Sequence, residues 1–269
     1  MSPGPLRRDV ELFGATLECH FRAAAGDREL PPLILLHPWF GCWQFWDRTV
    51  AALPEFATYA VDLYSLGAGE GWREYASPEG IARALATMLD RLSVTRCHVV
   101  GNSMGGIAAQ ALAAAEPRRV EKLVLVGTGA RATGLKPDYR KAVDSWIAAE
   151  ADRAAAAQLT DWLLARRPDD PREFETFVDM VANANKSFMG AVLANAFALD
   201  LRPRLPAIAA KTLVIRGELD GARTRAHVDE LLAGIPNSRP VEIPGAGHSP
   251  QVDSPEAFTA LVREFLLAT

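Results

Sequence analysis

With 269 residues, 49% of them hydrophobic and 23% charged, the chain has the length and apolar content for one large α/β domain carrying an insertion, and it lies far from the composition of a disordered segment. Lysine and arginine number 29 against 33 aspartates and glutamates, a formal net charge of −4, so no basic surplus exists to neutralise nucleic-acid phosphates. The longest stretch free of Asp, Glu, Lys and Arg, Cys97 to Ala115, is interrupted by Gly101-Asn102-Ser103-Met104-Gly105-Gly106 and predicts no membrane span.

The segment Met1 to Asp9 lacks the apolar core and small-residue cleavage site of a signal peptide, which predicts cytoplasmic residence. Alternation from Val10 to Phe21 around Gly14-Ala15 predicts a hairpin at a sheet edge. Leu33-Ile34-Leu35-Leu36 is a continuous apolar run between Pro32 and Pro38, the pattern of a strand buried on both faces. Similar runs follow at Thr58 to Val61, Cys97 to Val100 and Leu123 to Val126, with helical periodicity between them over Phe45 to Leu53, Pro78 to Leu92 and Gly105 to Ala115. That rhythm predicts a mostly parallel sheet wrapped by helices. After Gly129 it breaks. Amphipathic patterns over Tyr139–Ala149, Ala151–Ala165, Pro171–Ala184 and Ser187–Leu199 predict a helical insertion, residues 131–205, in a core made of 1–130 and 206–269. Strands resume at Thr212 to Ile215 and Pro240 to Ile243, and a helix from Pro255 to Leu267 ends the pattern. Cys19, Cys42 and Cys97 are too few and too scattered for a disulfide framework or a metal cluster and read as reduced, buried thiols.

The strongest chemical signal is Val99-Val100-Gly101-Asn102-Ser103-Met104-Gly105, a buried strand running through Gly-x-Ser-x-Gly into a helix. Such a turn projects a serine oxygen from the sheet, with glycines where crowding leaves no room for a side chain. Because a serine hydroxyl is weakly nucleophilic, it needs a base and oxyanion donors, and the helix starting here offers the Met104 N–H. Chain order supplies both partners: Asp220 follows the strand after the insertion, and His248 sits in a glycine-rich loop after the last strand. Glu218, two residues before Asp220, is the alternative acid. His37 is assigned a structural role, and His20, His98 and His227 structural or surface roles.

Together these elements resemble the α/β-hydrolase-fold family with a helical cap: Leu35-Leu36-His37, Asp62 with Gly67, the Ser103 elbow, Asp220 and His248 occur in family order. The resemblance implies a Ser-His-Asp triad and a second oxyanion donor after the third strand, the backbone N–H of Trp39. This chain has Pro38 where the family usually has glycine, and Phe40 is the alternative donor. Gly-Asn-Ser-Met-Gly-Gly is also similar to the elbow of meta-cleavage-product hydrolases, which cut carbon–carbon bonds, although their aromatic after the catalytic histidine is replaced here by Ser249. Haloalkane dehalogenases and epoxide hydrolases use an aspartate nucleophile where Ser103 stands.

The expected reaction is therefore hydrolysis of an ester or lactone of a small to mid-sized, largely apolar molecule. C–C hydrolysis, a lyase or cyclase using the same site, and a ligand sensor are the alternatives. The aromatics Trp39, Phe40, Trp43, Phe45 and Trp46 are candidates for a pocket wall or for core packing. A substrate pocket is expected from Phe40, Asn102, Trp146 and Phe188, with Trp162, Asn183, Asn185 and Lys186 also on the insertion. No metal, organic cofactor, nucleic acid or membrane is implied, and the chain is expected to be a monomer or homodimer acting on a small molecule.

Overall fold

The computed structural model describes residues 6–26, 29–132, 137–148 and 153–268. Strands β1 (Leu6–Glu11) and β2 (Thr16–Arg22) form the expected hairpin, turning at Gly14 with a φ of 66°. β3 (Leu33–Leu36), β4 (Thr58–Asp62), β5 (Cys97–Asn102), β6 (Val120–Val126), β7 (Lys211–Gly217) and β8 (Ser238–Ile243) complete one eight-stranded sheet in the order β1-β2-β4-β3-β5-β6-β7-β8. The hairpin is antiparallel and joins β4 antiparallel, whereas all pairs from β4 to β8 are parallel.

Apolar residues on both faces of the inner strands require helices on both faces. Residues alternate accordingly. Leu33, Leu35, Val100 and Val124 pack with Trp46, Leu53, Phe258 and Val262, which belong to or adjoin α1 (Asp47–Ala52) and α10 (Pro255–Leu267). Ile34, Leu36, Val99 and Leu123 face the opposite side, where α2 (Pro78–Arg91), α3 (Met104–Ala115) and α8 (Arg225–Gly234) contribute Leu85, Leu112 and Leu231. α2 begins as its sequence predicts: Pro78 follows Ser77, whose hydroxyl accepts the Gly80 N–H at 2.9 Å. The single helix expected from Phe45 is instead a 3-10 turn (Trp43–Trp46) running into α1, with Phe45 and Trp46 buried on opposite faces of the sheet. β8 is an edge strand, which accommodates Pro240 and its missing N–H.

Between β6 and β7, which are direct neighbours, lie α4 (Pro137–Ala148), α5 (Arg153–Asp161), α6 (Pro171–Asn183) and α7 (Lys186–Ala198). The expected helix ends at Ala149 and Ala151 lie outside the described residues. α5 stops at Asp161 rather than continuing to Ala165, and Trp162 and Leu163 leave it in a turn. The two ends of the insertion meet: Arg131 and Asp200 form an antiparallel bridge, and the Leu201 N–H donates to the Ala130 carbonyl at 3.0 Å. A short helix, α9 (Pro250–Asp253), follows β8 and precedes α10. Among the described residues no helix is long and apolar enough to cross a membrane.

Candidate active site

β5 ends at Asn102, and the chain turns at Ser103 with φ 53° and ψ −113° before α3 begins at Met104. A non-glycine residue at positive φ is strained, and such strain persists where surrounding contacts fix it. Here the Ser103 N–H donates to Val126 O at 2.9 Å, while Ser103 O accepts the Thr128 hydroxyl at 2.8 Å and the Ile107 N–H at 3.0 Å. The elbow also packs against β3, since a Cβ on Gly105 would collide with the Leu36 carbonyl oxygen.

Asp220 follows β7 and His248 follows β8, so both stand at the carboxyl end of the sheet beside Ser103. His248 Nδ1 lies 2.9 Å from Asp220 Oδ2. The other carboxylate oxygen, Oδ1, accepts the backbone N–H groups of Ala222 (2.8 Å) and Arg223 (2.9 Å), which fix the acid's orientation. Burial alone would raise the Asp220 carboxyl; the His248 charge and hydrogen bond, with those two N–H groups, outweigh it and hold the acid below its ordinary range. An ionised carboxylate only accepts, so His248 carries its proton on Nδ1 and leaves Nε2 for the cavity. Glu218, the alternative acid, instead accepts the Gly245 N–H at 2.9 Å from an exposed position.

Ser103 and His248 both line a cavity of about 280 Å³, the small end of the range for ligand sites. Among the described residues its remaining wall is Asp138 and Tyr139 of α4, Trp162 and Leu163 after α5, and Gly221, Ala222 and Arg223 beside Asp220. Trp162, expected on the insertion, lines this cavity. Phe40, Asn102, Trp146 and Phe188 do not line the cavity, which corrects the expected pocket. Phe40 packs edge-on against Tyr139 and Trp146, with ring centroids 6.2 and 5.5 Å apart, and so buttresses the wall from behind. Phe188 packs on Trp39 and Trp72. Asn102 is wholly buried and ties the elbow to the His248 loop: its Nδ2 donates to Val126 O and His248 O, both at 3.0 Å, and its Oδ1 accepts from Ser249 and Gln251. Asn183, Asn185 and Lys186 are occupied with the carbonyls of Asp179, Gly67 and Trp146.

Trp39 and Met104 follow the adjacent strands β3 and β5. Met104 opens α3, where first-turn N–H groups have no partner within the helix. The Trp39 indole donates to Met189 O at 3.1 Å and its carbonyl accepts the Tyr64 hydroxyl, so both sides of this residue are pinned. His37 is wholly buried between backbone groups: Nδ1 meets Pro38 O at 2.8 Å and Nε2 accepts the Leu63 N–H at 3.0 Å. All three cysteines are free and buried, and among the described residues no group of three or more His, Cys, Asp or Glu could hold a metal ion.

Sequence reasoning missed Gly127 and Arg223. Gly127, at the end of β6, has φ +50°, and a Cβ there would lie 2.7 Å from His248 O, 3.1 Å from His248 Nδ1 and 3.2 Å from Asp220 Oδ2. Gly127→Ala is expected to destabilise the fold by about 1–2 kcal/mol through the left-handed backbone and, by displacing the imidazole, to lower kcat about 100-fold. Thermal melting and ester turnover check this; unchanged values in both would show that the pair tolerates displacement. Arg223 is a buried cation whose pKa is lowered by burial, with Asp220 opposing that shift.

The sequence profile of the alpha/beta hydrolase family matches residues 33–261. The chain belongs to that family. A 2-hydroxy-6-oxononadienedioate/2-hydroxy-6-oxononatrienedioate hydrolase of Paraburkholderia xenovorans is 34% identical over 203 residues, 69% of this chain and 67% of the relative. A pimeloyl-[acyl-carrier protein] methyl ester esterase of Aeromonas hydrophila is 27% identical over 264 residues, 88% of this chain and 95% of the relative. Among solved structures, the enol-lactonase from Burkholderia xenovorans LB400 superposes with a TM-score of 0.83 at 26% identity, covering 97% of this chain and all (100%) of its own. As an alpha/beta hydrolase, the protein has esterase, enol-lactonase and C–C hydrolase relatives.

Proposed function

We propose that the protein is a serine hydrolase cleaving an ester or lactone of a small to mid-sized, largely apolar substrate through an acyl-enzyme. The observation that carries this reading is the His248–Asp220 pair at 2.9 Å, facing the same cavity as Ser103 on its strained elbow. His248 Nε2 takes the Ser103 proton as the oxygen attacks the carbonyl, and Asp220 holds the imidazole tautomer and stabilises its cation. The Met104 and Trp39 backbone N–H groups receive the developing oxyanion. His248 then protonates the leaving group and activates the water that releases the acid. In this reading, residues 131–205 are a cap whose Tyr139, Trp162 and Leu163 select the substrate and limit water at the acyl-enzyme.

A fluorophosphonate probe, with the labelled peptide mapped by mass spectrometry, tests the mechanism. Rapid labelling confined to Ser103 is the expected result, and folded protein that stays unlabelled would sink it. C–C hydrolysis of a vinylogous diketone acid is a second reading, supported by the 34% identical relative. Arg223, a buried cation, is among the residues lining the cavity, which supports an anionic end on an otherwise apolar substrate in either case, because charge-assisted hydrogen bonds from Arg to carboxylate are strong and directional. Esters bearing a free carboxylate are therefore expected to be hydrolysed in preference to neutral esters of equal length, and Arg223→Met to reduce that preference by about tenfold or more. A preference ratio identical in wild type and variant would show that Arg223 reads no substrate charge.

A further inference from the structure

We propose that Asp253 is a positioning residue that fastens the His248 loop to the cavity wall, so that one carboxylate holds both base placement and substrate enclosure; this rests on the reading of His248 as the base. Asp253 ends α9, is 2% exposed and has no part in the triad. Its two oxygens serve different segments. Oδ2 accepts the N–H of Gly247, the residue before His248, at 2.6 Å, and Oδ1 accepts the N–H of Ala165, two residues after the wall residue Leu163, at 3.0 Å. The Asp253 carbonyl accepts Arg166 Nε at 3.1 Å, a second tie from the same segment. The segments are in contact where they are joined, since a Cβ on Gly247 would lie 2.6 Å from the Ala165 nitrogen.

Each N–H group here has its own oxygen, and a carboxylate provides two acceptors without presenting a donor to either. The chain keeps an acid here although burial raises the Asp253 carboxyl, an effect that the N–H groups of Ala165, Gly247 and Arg166 partly offset. Asparagine would turn its NH₂ toward one of the two N–H groups and leave donor facing donor. Loss of the clamp should then free the imidazole and the Trp162–Leu163 wall together. A purely architectural aspartate would lower the melting temperature and leave both alone.

The experiment compares wild type with Asp253→Asn, Asp253→Glu and Arg166→Met. Each is measured for melting temperature, for kcat and KM on a neutral p-nitrophenyl ester, and for His248 titration by NMR of ¹⁵N-histidine-labelled protein. Asp253→Asn is expected to lower kcat about 10- to 100-fold, raise KM several-fold and displace the His248 titration. Asp253→Glu, which keeps the charge but lengthens the arm, should fall between it and wild type. Arg166→Met removes the tie to the Asp253 carbonyl and keeps the carboxylate with its two N–H groups, so KM is expected to rise more than kcat falls. Asp253→Asn with lowered melting temperature but wild-type KM, kcat and His248 titration overturns the proposal; if it does not fold, the same outcome in Asp253→Glu does so. A wild-type chain that turns over no ester and resists fluorophosphonate defeats the serine-hydrolase reading alone. The NMR titration still decides the clamp.

Discussion

Ser103→Gly is expected to abolish ester turnover while raising the melting temperature. In the proposed serine-hydrolase mechanism, removing the nucleophile leaves only the catalysis of the oxyanion donors and binding, so the loss in kcat should be at least about 10⁴-fold. Stability moves the other way because Ser103 is held at φ 53° and ψ −113°, a conformation that costs a residue with a Cβ about 1–3 kcal/mol. Glycine adopts it freely and gives back about 0.4–1 kcal/mol through the greater freedom of its unfolded chain. A net gain of about 1 kcal/mol corresponds to roughly 2–4 °C in Tm. Ser103→Ala separates the two effects, since it retains the Cβ and should lose activity without the thermal gain. Calorimetry and turnover on the three proteins check this. Substantial residual turnover in Ser103→Ala, with His248 still essential, would move the chemistry to proton transfer of a lyase or cyclase kind.

Asp220→Asn should cost nearly as much activity with little change of shape. The amide of the substituted side chain would present a donor to Nδ1 and favour the wrong imidazole tautomer, a change associated with a kcat loss of about 10⁴ in the serine-protease template. The acid limb of stability should also change. Asp220 is held below its ordinary value of 3.8, so its ionised form stabilises the fold above that pH, and the contribution is lost as pH falls through 3.8 toward the folded value. Asparagine has nothing to lose there, so melting temperatures of wild type and variant should converge on acidification. A kcat within tenfold of wild type would show that another group, rather than Asp220, orients His248.

The sheet and the chain order of Ser103, Asp220 and His248 are legible in the sequence because each depends on short-range pattern. Four-residue apolar runs such as Leu33–Leu36 mark strands buried on both faces, and the Gly-x-Ser-x-Gly turn has to follow one of them. The cavity wall is less legible. Trp146 and Phe188 carry the right chemistry for a pocket, but helix docking packs them against Phe40 and Trp39. α5 ends at Asp161, and that turn is what directs Trp162 and Leu163 to the cavity; periodicity through Ala165 gives no sign of it. Asn102 looks like a site residue by its position beside Ser103, whereas its amide binds four partners inside the protein. Gly127 and Asp253 act through contacts with residues far away in the chain, which no local pattern records.

The bridge between Arg131 and Asp200 bears on how this architecture can diversify. Because the insertion leaves and re-enters the sheet at one point, the entropy of closing it grows only with the logarithm of its length, and helices can be gained, lost or exchanged there at small thermodynamic penalty. The pairing of β5 with β6 and of β6 with β7 fixes Ser103 relative to Asp220 whatever hangs between β6 and β7. Substrate range can therefore drift while the catalytic frame stands still, and the descendants of one such chain can part company in what they cleave long before they differ in how they cleave it.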